Sequence, residues 1–172
     1  MGTGNLPEVW LRGPLPKIPP TLQPIAHALL QAAEEINEIT KDFPRDLLWK
    51  KPAGAASVGF HLQHIRGVLD RLFTYARGEG LSELQFRELR AEGIETDEDT
   101  TYLAARLQEQ IKKAVNELES MNEANLSSPR AVGRAQVRST VIGLLFLAVQ
   151  DTMRHVGQRL VTSKLLLNKT SL

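Results

Sequence analysis

Apolar residues recur every three or four positions along four long stretches of the chain, and each such stretch predicts an amphipathic helix. The first runs Leu22–Phe43, with Leu22, Ile25, Leu29, Ala32, Ile36, Ile39 and Phe43 on one side and Glu34, Glu35, Glu38 and Lys41 elsewhere. Pro44 ends it. The second runs Ser57–Arg77 on Val58, Ile65, Leu69, Leu72 and Ala76. Ser57 suits its N-cap, and Gly78 and Gly80 stop it. The third, Thr100–Asn122, carries Leu103, Leu107, Ile111, Val115, Leu118 and Met121. The fourth, Ser139–Lys164, has two stripes. One passes through Leu144, Ala148, Asp151 and His155; the other through Val141, Leu145, Val149, Val156 and Leu160. A helix apolar on more than one side is buried on more than one side. Central placement in the monomer and a dimer seam would each explain it.

Between the second and third helices, Ser82-x-x-Gln85 is a capping-box pattern that opens a short helix to about Ala91. It lies on a connection running roughly from Gly78 to Asp99. So long a link implies that the next helix is not a simple hairpin neighbour. No alternating β-branched run occurs, and no strands are expected. The pattern therefore predicts an all-α fold: a four-helix bundle with a crossover connection and a short extra helix. Residues 1–21 are rich in Pro and Gly and read as an arm, with Trp10 and Leu11 as its apolar anchors. Residues 22–172 read as the bundle. Trp49, in the loop after the first helix, reads as a lid over the bundle end.

Composition narrows the chemistry. In 172 residues, Lys and Arg total 21 and Asp and Glu 20, a formal charge of +1. That balance offers nothing to a polyanion, so no nucleic-acid partner is expected. Cysteine is absent, which removes disulfides, thiolate chemistry and Cys-based zinc sites. No apolar run is long enough to span a bilayer, and no secretory leader is legible, so a cytoplasmic protein with no membrane partner is expected.

The polar exceptions on the helix stripes carry the functional signal. Asp151 and His155 are four apart and stack on one helical face where core residues belong. A buried carboxylate needs a partner, either a cation, an Arg or a metal shared with His155. On the second helix His61 and His64 fall on or beside the apolar face. His27 falls opposite its own helix's core stripe, which places it at the surface or against the Pro-rich arm. Facing helices of a bundle can join such residues into a metal site with open positions. The competing reading is a buried polar network in which Asp151 pairs with His155 or Arg154 and His61 bonds a backbone carbonyl. Arg130, Arg134 and Arg138, four apart in the connector, form either a solvated face or a receptor for an anionic group.

The stretch Ser57-Val-Gly59-Phe-His61-Leu-Gln-His64-Ile-Arg-Gly67-Val-Leu-Asp70-Arg71-Leu, with Asp151-x-x-x-His155-x-Gly157-Gln158, resembles the DinB-like (DinB/YfiT) family from about Leu22 onward. The resemblance implies a four-helix bundle, often dimeric, holding a divalent metal on His64, Asp151 and His155. Asp151 stands where the commonest family pattern has a His. A carboxylate there is similar to the mycothiol-dependent maleylpyruvate isomerase branch. Such a site would take Zn²⁺, Ni²⁺, Mn²⁺ or Fe²⁺ before a softer ion. The implied function is that of a metal-dependent hydrolase or a thiol S-transferase acting on a small molecule, in the second case with a low-molecular-weight thiol. His61 and Gln158 would orient the nucleophile, His61 being otherwise a fourth ligand. Arg154, or an Arg of the 130–138 run, would meet a substrate carboxylate. The alternatives are a non-catalytic metal-binding bundle and a metal-free dimerisation module.

Overall fold

The computed structural model describes residues 6–169. The first five residues of the expected arm and the last three of the chain lie outside the described residues. The long helices are α1 (Gln23–Thr40), α2 (Val58–Ala76), α4 (Thr100–Glu119) and α5 (Val141–Lys169), and α3 (Glu83–Ala91) is the short one. Local chemistry sets their starts. Ser57 Oγ accepts the Phe60 amide at 3.1 Å, opening α2. Ser82 and Gln85 form the reciprocal box that opens α3. Asp99 Oδ1 accepts from Tyr102 at 2.8 Å at the head of α4, and Thr140 Oγ1 accepts from Gly143 at 3.1 Å at the head of α5.

Pairing across the bundle follows from the polar contacts between helices. Gln108 of α4 donates to the Ala33 carbonyl of α1, and Thr100 to that of Phe43, so these two helices run antiparallel. His61 meets His155, His64 meets Asp151, and Thr162 donates to Ala56 ahead of α2, so α2 and α5 also run antiparallel. Asp70 pairs with Lys113 and Arg77 with Glu117, which makes α2 and α4 parallel neighbours. Helices α1 and α2 lie on one diagonal of the bundle, and α4 and α5 on the other. Parallel neighbours require the chain to travel the length of the bundle between them. The long link carrying α3 makes that return.

The core is one cluster drawn from all four long helices, including Leu29 and Ile36 (α1), Leu62, Ile65 and Leu69 (α2), Leu107, Ile111 and Leu118 (α4), and Leu144, Leu145 and Ala148 (α5). Helix α5 packs on both α1 and α2, which accounts for its two apolar stripes within a single chain. Trp49 packs on the body of the fold at the start of α2. A Cβ at Gly59 would come within 2.6 Å of its ring.

Two expectations are corrected. The connector is not free of strands: β1 (Pro129–Val132) and β2 (Val137–Thr140) form an antiparallel hairpin that feeds directly into α5. Its four-residue turn is closed by Gly133 at φ 64 and Gln136 at φ 49. On this ribbon the arginines do not stack as they would on a helix. Arg130 pairs with Ser139 and Arg138 with Ala131, so the two leave on opposite faces. Arg130 donates to the Ala76 carbonyl at 2.7 Å, closing the end of α2. Nor are Trp10 and Leu11 the anchors of the arm, since they are 60% and 56% exposed. The arm enters a 3₁₀ turn at Val9–Arg12 that presents one residue inward. That residue is Val9, 5% exposed, and Arg12 clasps Glu34 with two bonds of 2.6 and 2.8 Å.

Candidate metal centre

The site lies where the antiparallel helices α2 and α5 face each other. The stripe of Leu144 and Ala148, both fully buried, runs on into Asp151 and His155, which are only half-buried. The core thus opens here into a polar notch. One ligand atom each from His64, Asp151 and His155 lies within 4.8 Å of the others. His64 Nε2 stands 3.2 Å from Asp151 Oδ2. His155 Nε2 stands 3.8 Å from the same oxygen.

The outer nitrogens of both imidazoles are held. His64 Nδ1 lies 2.7 Å from Glu92 Oε2. An ionised carboxylate only accepts, so Nδ1 carries the proton and donates it. In the neutral ring Nε2 is then a bare lone pair aimed at a carboxylate oxygen. Two acceptors facing each other require a proton or a cation between them. Asp151 Oδ2 is itself buried and has no hydrogen-bond partner. Its other oxygen takes the Arg154 Nη1 donor at 3.4 Å. On the far side, His155 Nδ1 lies 3.0 Å from His61 Nδ1. Burial, before all else, depresses both of these imidazoles. His61 is pushed down to about 4, with the charges of His155, Arg159 and His64 adding to the effect. His155 is lowered by burial and by His64, against the opposing pull of Asp151. Neutral imidazoles are the form that ligates a metal. The donor set, two imidazoles and one carboxylate with an orphaned oxygen at its centre, fits a divalent ion with open coordination positions.

Glu92 is the residue that periodicity did not reveal. It sits at the C-terminal end of α3, and its Oε1 takes Arg71 Nη1 at 2.6 Å while its Oε2 holds His64. A Cβ at Gly67 would fall 2.5 Å from both Arg71 Nη1 and Glu92 Oε1, so any other residue there must displace this pair from where it stands. Phe60 stacks on the His64 ring, centroids 5.2 Å apart. The positions of the other candidate residues differ. His61, 2% exposed, stands behind His155 and outside the three-residue cluster, and its ring meets an imidazole where a backbone carbonyl was one expectation. Arg154 borders the cavity beside the site, whereas Gln158 is exposed and is not among that cavity's lining residues. His27 bonds the Gly13 carbonyl of the arm at 3.1 Å, away from the cluster.

A family model for the DinB superfamily matches residues 27–158, spanning all four long helices and the cluster. The chain belongs to the DinB superfamily. Solved structures agree on the fold of this superfamily member. A conserved protein from Enterococcus faecalis superposes with a TM-score of 0.62 at 18% identity, covering 86% of this chain and 97% of its own. YfiT from Bacillus subtilis, described as a probable metal-dependent hydrolase with an unusual four-helix bundle topology, gives 0.64 at 15% identity, covering 88% and 91%. Comparison with curated proteins gave no match.

Proposed function

We propose that this DinB-superfamily chain is a divalent-metal-dependent enzyme acting on a small molecule, either a hydrolase or a thiol S-transferase. The observation that carries the reading is the buried Asp151 Oδ2, which has no hydrogen-bond partner and lies between two imidazole Nε2 atoms. His64, Asp151 and His155 would hold the ion. A dication bound there lowers the pKa of a coordinated water or thiol and supplies a nucleophile at neutral pH. The chain's own groups do the rest. Glu92 fixes the His64 tautomer and is fixed in turn by Arg71. His61 Nδ1 meets His155 Nδ1 from within the core, and by accepting its proton in a hydrogen bond would leave His155 Nε2 bare for the ion. Arg154, at the cavity edge and bonded to Asp151 through one nitrogen, would meet an anionic substrate group with its remaining donors. The description of YfiT as a probable metal-dependent hydrolase supports the reading.

The cavity beside the cluster favours catalysis over a purely structural ion, since a structural site has its positions closed by protein. The test is turnover of aryl esters and of thiol–electrophile pairs by protein reconstituted with Zn²⁺, Ni²⁺, Mn²⁺ or Fe²⁺. Activity should appear with metal and vanish with chelator. It should fall at least a hundredfold in His155→Ala while that variant keeps the wild-type circular dichroism. Metal-independent turnover, or full activity in His155→Ala, overturns the proposal.

A further inference from the structure

A cavity of about 540 Å³ opens directly against His64 and Asp151. That volume is in the range of small-molecule sites, roughly 300–1,000 Å³. Its walls are mostly apolar: Val68, Leu72 and Tyr75 from α2 with Arg71 beside them, Leu81 and Leu89 from the crossover, and Leu147 from α5. Polar groups gather at the cluster end, where Arg154 and Gln150 flank Asp151. Tyr75 and Leu81 also border a second cavity of about 610 Å³ that runs on to the hairpin. From His64 to Tyr75 the rise of the helix alone is about 16 Å, enough for a chain of about ten carbons.

Charge selects the head group. Arg71 answers Glu92, and Arg154 reaches Asp151. The two guanidiniums therefore cancel the two carboxylates, and the charge of any bound dication is left for an incoming ligand to match. Arg154 is about half exposed and bonds Asp151 through a single nitrogen, so its remaining N–H donors are available.

We infer that the substrate of this site is an elongated amphiphile with an anionic head, the head lying between the metal position and Arg154 and the apolar body lying along Leu72, Tyr75, Leu89 and Leu147. A polar, highly charged small molecule would leave that apolar wall facing water. The inference rests on the metal reading for the head group only; the apolar groove stands without it.

The test uses Co²⁺-loaded protein titrated calorimetrically with butyrate, hexanoate, octanoate and decanoate, and with octanol as a neutral control. Affinity should rise about fourfold per added methylene, the increment expected for burying each CH₂. Leu89→Gln and Leu147→Gln, both at exposed positions that the fold tolerates, should weaken octanoate about tenfold and leave butyrate unchanged. Arg154→Gln should weaken octanoate about tenfold and leave octanol unchanged. Leu89→Gln and Leu147→Gln should bind cobalt as the wild type does. Cobalt bound at one per chain with no dependence on chain length overturns the amphiphile and spares the metal. Chain-length dependence without any cobalt binding overturns the metal reading and supports the groove. Equal octanoate affinity in Leu89→Gln, Leu147→Gln and wild type overturns the inference outright.

Discussion

A single carboxylate oxygen, Asp151 Oδ2, lies at the centre of the candidate metal site, and the residues around it set which lone pairs face it. Glu92 accepts a hydrogen bond from His64 Nδ1 and so turns a bare Nε2 toward Asp151. Glu92→Gln should lower metal affinity about 10- to 100-fold, the usual effect of losing an outer-sphere carboxylate. Competition against a chelator of known affinity measures it, and an unaltered constant would remove Glu92 from the site. His61 leaves a different signature. Its folded pKa is pushed from 6.5 to about 4, chiefly by burial. The unfolded chain therefore binds the extra proton first as pH falls. In metal-free protein this contribution to stability is complete above the unfolded value and is lost progressively down to about pH 4. Denaturant titrations across that window should show wild type losing more stability than His61→Asn; parallel slopes would contradict the assignment. Asp151, His155 and His64 were legible in the sequence because helix spacing and the family resemblance converge on them. Glu92 was not, because its contact with His64 spans 28 positions and joins two helices.

Each element owes its place to a few positions where backbone comes close to a side chain. Gly59 lets the Trp49 ring lie on the first turn of α2. In an open helix, Gly→Ala stabilises by ~1 kcal/mol. Gly59→Ala should instead destabilise by about 1–3 kcal/mol, because a rigid ring occupies the space. Urea unfolding decides the sign, and a stabilised variant would show that Trp49 moves aside freely. Gly67 serves the site more than the fold: Gly67→Ala should displace the Arg71–Glu92 pair and cut metal affinity as Glu92→Gln does. The helices were readable because the four long ones repeat their apolar positions over several turns, and because Ser57 and Ser82 mark the starts of α2 and α3. The hairpin was not. Its strands are four residues each, and one begins with Pro129, too short for alternation to register. The arginines at four-residue spacing imitated a helical face, and pairing with the facing strand overrode that spacing.

At the scale of the molecule, the diagonal arrangement makes the crossover part of the site. Helix α2 meets α5 antiparallel, which brings His64 to Asp151, and runs parallel to α4, which forces a long return. That return carries α3 and delivers Glu92 and Leu89 to the same notch. The length of the link announced a non-hairpin neighbour in the sequence. What the link would bring to the site depended on which helices share a diagonal, and periodicity along one chain is silent on that. No helix among the described residues is long and apolar enough to cross a membrane. The most direct test of the whole account is X-ray absorption of Co²⁺-titrated protein, beside His64→Ala, Asp151→Ala and His155→Ala. One ion per chain is expected, with two imidazoles in its inner sphere, and all three variants should lose that ion while they remain helical. An ion lacking histidine scattering, or one that survives in His64→Ala unchanged, would contradict it.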